Sequence, residues 1–334
     1  MGKNYSLKAS LVITLLTFEI LISDYVFSER YVKVAAIGNI PPKVESGNQQ
    51  VIVDHVIKFW DVELKKVLRK NPDLIVLPEF CDLSTLGIEY LNVRKDQVLD
   101  FFISVAKRNN CYIAFGMCRL DSAGIWRNSC MLIGRKGEIA GIYDKNYLTL
   151  GEMQIGIKAC DKAIVIETDF GRIAVAICLD LNFNELMLKY ASQKPDLIIF
   201  SSTYHGGVAQ SLWAYTCQSY FVGAVYRGHP SQIRNPLGEV IASSTMNNDY
   251  AVADINLDFK RVHLAYNIVN LAALKNKYGS TVKITDPGEY ASVIVSSENE
   301  NVTVEQMIKE FEIIEFNEYL DQLREIRHEG GNIK

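Results

Sequence analysis

Three stretches of the 334-residue chain run apolar and then stop at a residue with reactive potential. "DLIVLPEF" leads to Glu79, "EIAGIYDK" ends at Lys145, and "RIAVAICLDLNFNEL" carries Cys178 at the end of its apolar run. A thiolate is a strong nucleophile. A carboxylate beside it can take the thiol proton and later activate water. An ammonium can hold the carboxylate charge and stabilise an oxyanion, as can a backbone N–H just after the nucleophile, here that of Leu179. A helix opening near Asn184 as N-cap, with Glu185 in its first turn, would add a positive dipole end. That dipole and a neighbouring cation predict a depressed thiol pKa. Asp180 either orients the loop after Cys178 or begins a turn.

Each residue also has a plain structural reading. Cys178 would be a core thiol, Lys145 a strand-end lysine with its stem along apolar surface, and Glu79 a loop carboxylate after Pro78. Their arrival together at three strand ends decides for chemistry, because strand C-termini are where α/β sheets build their sites.

The elements that must position them follow from periodicity. "VKVAAIG" reads as a strand, residues 50–70 as a helix with apolar Val53, Val56, Ile57, Trp60 and Leu64, and 96–109 as a second helix. "NSCMLIGRKGEIAGIYDK" is a hairpin across "RKG", and "AIVIETDFGRIAVAIC" a second across Asp169-Phe170-Gly171. Residues 185–193 and 208–220 read as helices, "DLIIFSST", "YFVGAVY", "SQIRNPLGEVIASST" and "YAVADINL" as strands, and 304–327 as a helix. Trp126 and Trp213 read as packing residues. Alternating strands and helices with inserted hairpins predict a mixed α/β sheet with helices on one face, or two stacked sheets. The divisions are 1–30, an apolar extension; 31–258, the main domain; and 259–334, an extension packing on the body or a second subunit.

The three motifs, in this order, resemble those of the nitrilase superfamily, the carbon–nitrogen hydrolases. "PDLIIFSST" and "RNPLGEVIAS" extend the likeness, which covers residues 31 to 257. The resemblance implies a four-layer αββα sandwich and a homodimer or higher homo-oligomer. It also implies a small-molecule amide, nitrile or N-carbamoyl substrate and no metal or cofactor. Position by position it makes Glu79 the base, Lys145 the oxyanion stabiliser and Cys178 the nucleophile. Glu152, seven residues after Lys145, matches a second glutamate that orients the lysine; its plain reading is a solvated turn residue. The chain departs from the family in Leu179, where an aromatic is common, and in Phe183-Asn184-Glu185, where Phe-Pro-Glu is common. A proline often seen after the lysine segment is absent. These departures leave the substrate open.

"STYHGG" offers Tyr204 and His205 as pocket-lining residues, or an ordinary loop; pocket shape rests on it and on residues 81–90. Other readings are a Cys178/His205 dyad, an N-acyltransferase suggested by "YDKNYLTLGE" and the apolar N-terminus, and a non-catalytic scaffold. A net charge of −4 gives no basic footprint and excludes nucleic acid as the expected partner. Seven cysteines without a C-x-x-C pair argue against a zinc ribbon or disulfide framework and favour a cytoplasmic, reducing setting. The run from Ala9 to Phe18 after Lys3 and Lys8 offers the alternatives of an export signal, a membrane anchor or a docking helix.

Overall fold

The computed structural model describes residues 31–82, 87–226, 228–328 and 330. The N-terminal extension, with its export and anchoring alternatives, and part of the 81–90 loop lie outside these residues. In chain order the first half gives β1 (Tyr31–Ile37), α1 (Gln49–Leu68), β2 (Leu74–Val76), α2 (Ile88–Arg94) and α3 (Gln97–Asn109). It continues with β3 (Tyr112–Leu120), β4 (Trp126–Ile133), β5 (Ile139–Asp144) and α4 (Leu150–Gln154). The second half gives β6 (Val165–Glu167), β7 (Arg172–Ile177), α5 (Asn184–Gln193), β8 (Leu197–Ser202) and α6 (Val208–Cys217). It then gives β9 (Tyr220–Val225), β10 (Gln232–Arg234), β11 (Val240–Ser243) and β12 (Tyr250–Asn256).

Two six-stranded sheets result, ordered β12-β1-β2-β3-β4-β5 and β11-β10-β9-β8-β7-β6. The period-two alternation of side chains sorts each strand between two cores. In β1, Val32, Val34 and Ala36 pack between the sheets, while Ala35 and Ile37 join α1 and α3 outside. On α1 the buried Val53, Val56, Trp60, Leu64 and Val67 recur at helical spacing and form one apolar stripe. Across the second sheet, Leu186, Met187 and Tyr190 of α5 and Trp213, Ala214 and Cys217 of α6 close the other side. The layers are therefore helix, sheet, sheet, helix: the mixed αββα sandwich expected. Among the described residues no helix is long and apolar enough to cross a membrane.

Strand direction sets the site. β1, β2 and β3 are parallel, as are β7, β8 and β9, while β4 and β5 are antiparallel to their neighbours. β2, β5, β7 and β8 thus end at one edge of the sandwich, and β4 starts there. The segment after β2 passes over Gly116, where a Cβ would lie 2.5 Å from the Glu79 Cα. Only glycine leaves room there.

Several expectations need correction. The helix expected over 208–220 stops at Cys217, where Gln218 turns left-handed (φ 52°). The region from Phe259 onward holds a sheet that was not foreseen: β13 (Phe259–His263), α7 (Leu264–Tyr278), β14 (Val282–Thr285) and β15 (Ser292–Ser297). Its order is β13-β15-β14, around its own core of Val262, Leu274, Val293, Val295 and Met307. The single helix expected over 304–327 is two, α8 (Val304–Glu310) and α9 (Phe316–His328). Asn267 holds the break: its Nδ2 donates to the Ile314 carbonyl at 2.9 Å and its Oδ1 accepts from the Ile314 N–H at 3.0 Å. This module meets the sandwich where the Arg261 guanidinium donates to the Tyr215 carbonyl at 2.9 Å and stacks on the Tyr215 ring.

Candidate active site

Glu79, Lys145 and Glu152 meet at the shared edge, only 2 %, 1 % and 7 % exposed, so their charges must satisfy one another. Lys145 follows β5 directly, and its Nζ donates to Glu79 Oε1 at 2.8 Å and to Glu152 Oε2 at 2.9 Å. Glu152 sits in the first turn of α4 rather than in a solvated turn. The Thr149 N–H and hydroxyl each donate to Glu152 Oε2 at 2.8 Å, and the Thr149 hydroxyl caps the Glu152 N–H in return. Asn128, near the start of β4, completes the cluster by donating to Glu79 Oε1 at 2.7 Å and Glu152 Oε1 at 2.6 Å. Burial alone would discharge the lysine. The facing carboxylates and thiol outweigh it and hold the Lys145 pKa above its ordinary value. Burial likewise pushes Glu152 up, but Lys145, Asn128 and Thr149 together hold it below its ordinary value. The chain after Glu79 is fixed by the Trp60 indole, which donates to the Cys81 carbonyl at 2.7 Å, and by a buried Asp82–Arg94 ion pair.

Cys178 follows β7 directly and turns left-handed (φ 48°), a conformation that L-residues rarely adopt. A 3-10 turn, Cys178–Asn182, follows at once, and the first N–H groups of such a turn, including that of Leu179, have no acceptor within it. Asp180, wholly buried, ties this turn down. It accepts from the Ile177 N–H at 3.0 Å, the Tyr143 hydroxyl at 2.7 Å and the Tyr147 N–H at 2.8 Å. Its pKa is pushed up to about 6 by burial, against the pull of those donors.

On the thiol's other side stands Thr203, just past β8. Its hydroxyl lies 3.5 Å from Cys178 Sγ and 3.0 Å from Glu79 Oε2, and its N–H donates to the same oxygen at 3.3 Å.

The structure brings Glu79, Lys145, Glu152 and Cys178 together, with the Leu179 backbone beside the thiol. It corrects three expectations. First, the Cys178 thiol is pushed up to about 11, not depressed. Burial and the Glu79 carboxylate outweigh Lys145 and the Thr203 hydroxyl. Second, Asn184 is the first helical residue of α5 rather than its cap. Phe183 takes the cap position in extended conformation, its ring stacked on Tyr147 at 3.6 Å. Third, His205 forms no dyad with Cys178. Its Nε2 pairs with Gln232 Oε1 at 3.1 Å and its Nδ1 accepts from the Gly207 N–H at 3.1 Å. Tyr204 reaches the turn that begins at Cys178, its hydroxyl accepting from Asn182 at 2.7 Å. Trp213 is buried and Trp126 lies partly buried against the outer core, as packing residues do. Sequence reasoning missed Asn128 and Thr203. The signal for Asn128 is a polar side chain opening an apolar strand, "RNSCMLI".

Residues 33–261 match the family model described as carbon-nitrogen hydrolase. The omega-amidase NIT2-B of Xenopus laevis is 24 % identical over 225 residues, covering 59 % of this chain and 81 % of that protein. Saccharomyces cerevisiae Nit3, a member of branch 10 of the nitrilase superfamily, superposes with a TM-score of 0.57 at 17 % identity, covering 68 % of this chain and 90 % of that one. A variant of the Nesterenkonia sp. AN1 amidase, with the acetamide moiety of fluoroacetamide added covalently at its active-site cysteine, superposes with a TM-score of 0.58 at 12 % identity, covering 69 % and 92 %. At these identities the solved structures establish the fold alone. The family match spans most of the chain: it belongs to the carbon–nitrogen hydrolases, the nitrilase superfamily, and is an enzyme of that class.

Proposed function

We propose that this carbon–nitrogen hydrolase is a thiol amidase for a small amide, with Cys178 as nucleophile, Glu79 as base and Lys145 as oxyanion stabiliser. The observation that carries the reading is the buried contact of Lys145 with Glu79 at 2.8 Å, beside a thiol linked to Glu79 Oε2 through Thr203. With its pKa near 11 the thiol is protonated at neutral pH, so attack needs a base at the moment of reaction. Glu79 is that base. Sγ bonds to the amide carbon, the thiol proton ends on Glu79, and the carbonyl oxygen becomes an oxyanion. The Lys145 ammonium and the Leu179 N–H stabilise that charge. Glu152 keeps Lys145 charged and aimed. Glu79 then gives its proton to the leaving nitrogen, and ammonia or an amine departs from an acyl-enzyme. Water, deprotonated by Glu79, hydrolyses the thioester and restores the thiol.

The relative named omega-amidase supports an amide over an N-carbamoyl substrate. The test is ammonia release from a panel of primary amides and N-carbamoyl compounds by the wild type and Cys178→Ala. The expected result is turnover of an amide that the variant loses; full turnover by the variant would sink the reading.

A further inference from the structure

We propose that the Thr203 hydroxyl is a proton carrier between Cys178 and Glu79, a side-chain relay that carries the proton in preference to the thiol's own hydrogen bond to that carboxylate. The inference rests on the thiol-amidase reading and adds a residue to it. An ionised carboxylate only accepts hydrogen bonds. The Thr203 hydroxyl hydrogen, 3.0 Å from Glu79 Oε2, therefore points at that oxygen. This leaves the lone pairs of Oγ1 for the thiol hydrogen, with Sγ 3.5 Å away. The order S–H to O–H to carboxylate is thus set by the chemistry of the last member.

Two features hold the carrier in place. Its own N–H donates to the same Glu79 oxygen at 3.3 Å, and branching at Cβ restricts χ1. Glu79 Oε1 is taken by Lys145 at 2.8 Å and Asn128 at 2.7 Å, so Oε2 is the oxygen that Thr203 engages. Thr203 is also exposed, unlike the buried groups it touches.

The step balances. As Sγ bonds to the carbonyl carbon, the thiol proton passes to Oγ1, the Oγ1 proton passes to Glu79 Oε2, and the threonine is left neutral. Protonation of the leaving nitrogen by Glu79 then clears the base for the next proton.

The test uses iodoacetamide as probe and reads alkylation of Cys178 by peptide mass spectrometry from pH 6 to 11 in the full-length protein. In the wild type we expect a flat limb over roughly pH 6 to 9, where base-assisted attack outruns the scarce thiolate, and a rise above it. Thr203→Val keeps the shape, and its rate should instead fall about tenfold per pH unit through that range, the slope of simple thiol ionisation. At pH 7.5 it should be about a hundredfold slower than wild type, the low end of what a positioned proton-transfer group supplies. Thr203→Ser should restore the flat limb, which a purely steric role for threonine would not require. Persistence of the flat limb in Thr203→Val, or its absence in the wild type, overturns the relay. Loss of the relay alone leaves amide turnover by wild type and its loss in Cys178→Ala untouched, so the two readings fail separately.

Discussion

The first sheet brings Glu79, Asn128, Lys145 and Glu152 to the seam, whereas the second brings Cys178 and Thr203. One contribution is a desolvated ion cluster in which each charge depends on the others. The other is a thiol and a hydroxyl, neutral and small. A buried ion cluster cannot lose a member without stranding a charge, while a neutral thiol can be trimmed with little harm to folding. In the ion cluster any chemistry is therefore coupled to stability, whereas the thiol and the hydroxyl can be changed without stranding a charge.

Breaking each half in turn tests that difference. Cys178→Ala has the largest effect on activity: amide turnover should fall by more than about a thousandfold, since only binding and oxyanion stabilisation remain. Its urea midpoint should stay close to wild type. Lys145→Met should also abolish turnover, and in addition lower stability by about 3 to 5 kcal/mol in urea unfolding, because Glu79 and Glu152 are left buried without their cation. A Lys145→Met protein as stable as Cys178→Ala would erase the distinction between the halves.

A smaller effect concerns Asp180. Its folded pKa of about 6 lies above its ordinary 3.8, so the folded protein holds the proton more tightly than the unfolded chain. The resulting stability is present below about pH 3.8 and lost as pH rises through about 6. The gap corresponds to about 3 kcal/mol. Asp180→Asn should flatten the loss between these values, visible as wild-type and variant unfolding curves that converge or part with pH.

The halves also communicate, and the expected shift is modest. Glu79→Gln should lower the pH midpoint of Cys178 alkylation from near 11, because it removes the carboxylate that opposes thiolate formation. Lys145→Met should raise it. The mildest change for the site lies outside both halves. Asn267→Ala should cost about 1 kcal/mol by unpairing the half-buried Ile314 backbone, with turnover unchanged.

The sheet sandwich, and the meeting of Glu79, Lys145, Glu152 and Cys178 at one edge of it, were legible because apolar runs with abrupt polar ends survive in a one-dimensional string. Asn128 was not, since its role depends on β4 running opposite to β3 and starting where β2 ends. Thr203 was not either, because a threonine in "STYHGG" gives no signal of its own beside a tyrosine and a histidine. The direction of the thiol pKa was misread because a cation in sequence is visible and burial is not. Here burial and Glu79 dominate. The helix break at 311–315 escaped because the amide that holds it, Asn267, is remote in the chain and its bonds are to backbone. The C-terminal sheet was overlooked although "SVIVSS" reads as a strand, because the surrounding polarity suggested a tail.

Asp180 joins the turn that bears Cys178 to Tyr143 and to the Tyr147 backbone, on either side of Lys145 in sequence. The thiol and the ammonium are thereby fastened to one another across the gap between sheets. If thermal motion makes one layer slide along the other, the Cys178 thiol and the Lys145 ammonium travel as a single piece, and their spacing is preserved. Glu79 belongs to the same piece: Lys145 holds its Oε1 at 2.8 Å, and the Ser201 hydroxyl donates to the Leu77 carbonyl at 2.8 Å, tying the end of β8 to the segment that leads to Glu79. Sliding is thereby resisted at the edge where the carboxylate, the ammonium and the thiol meet.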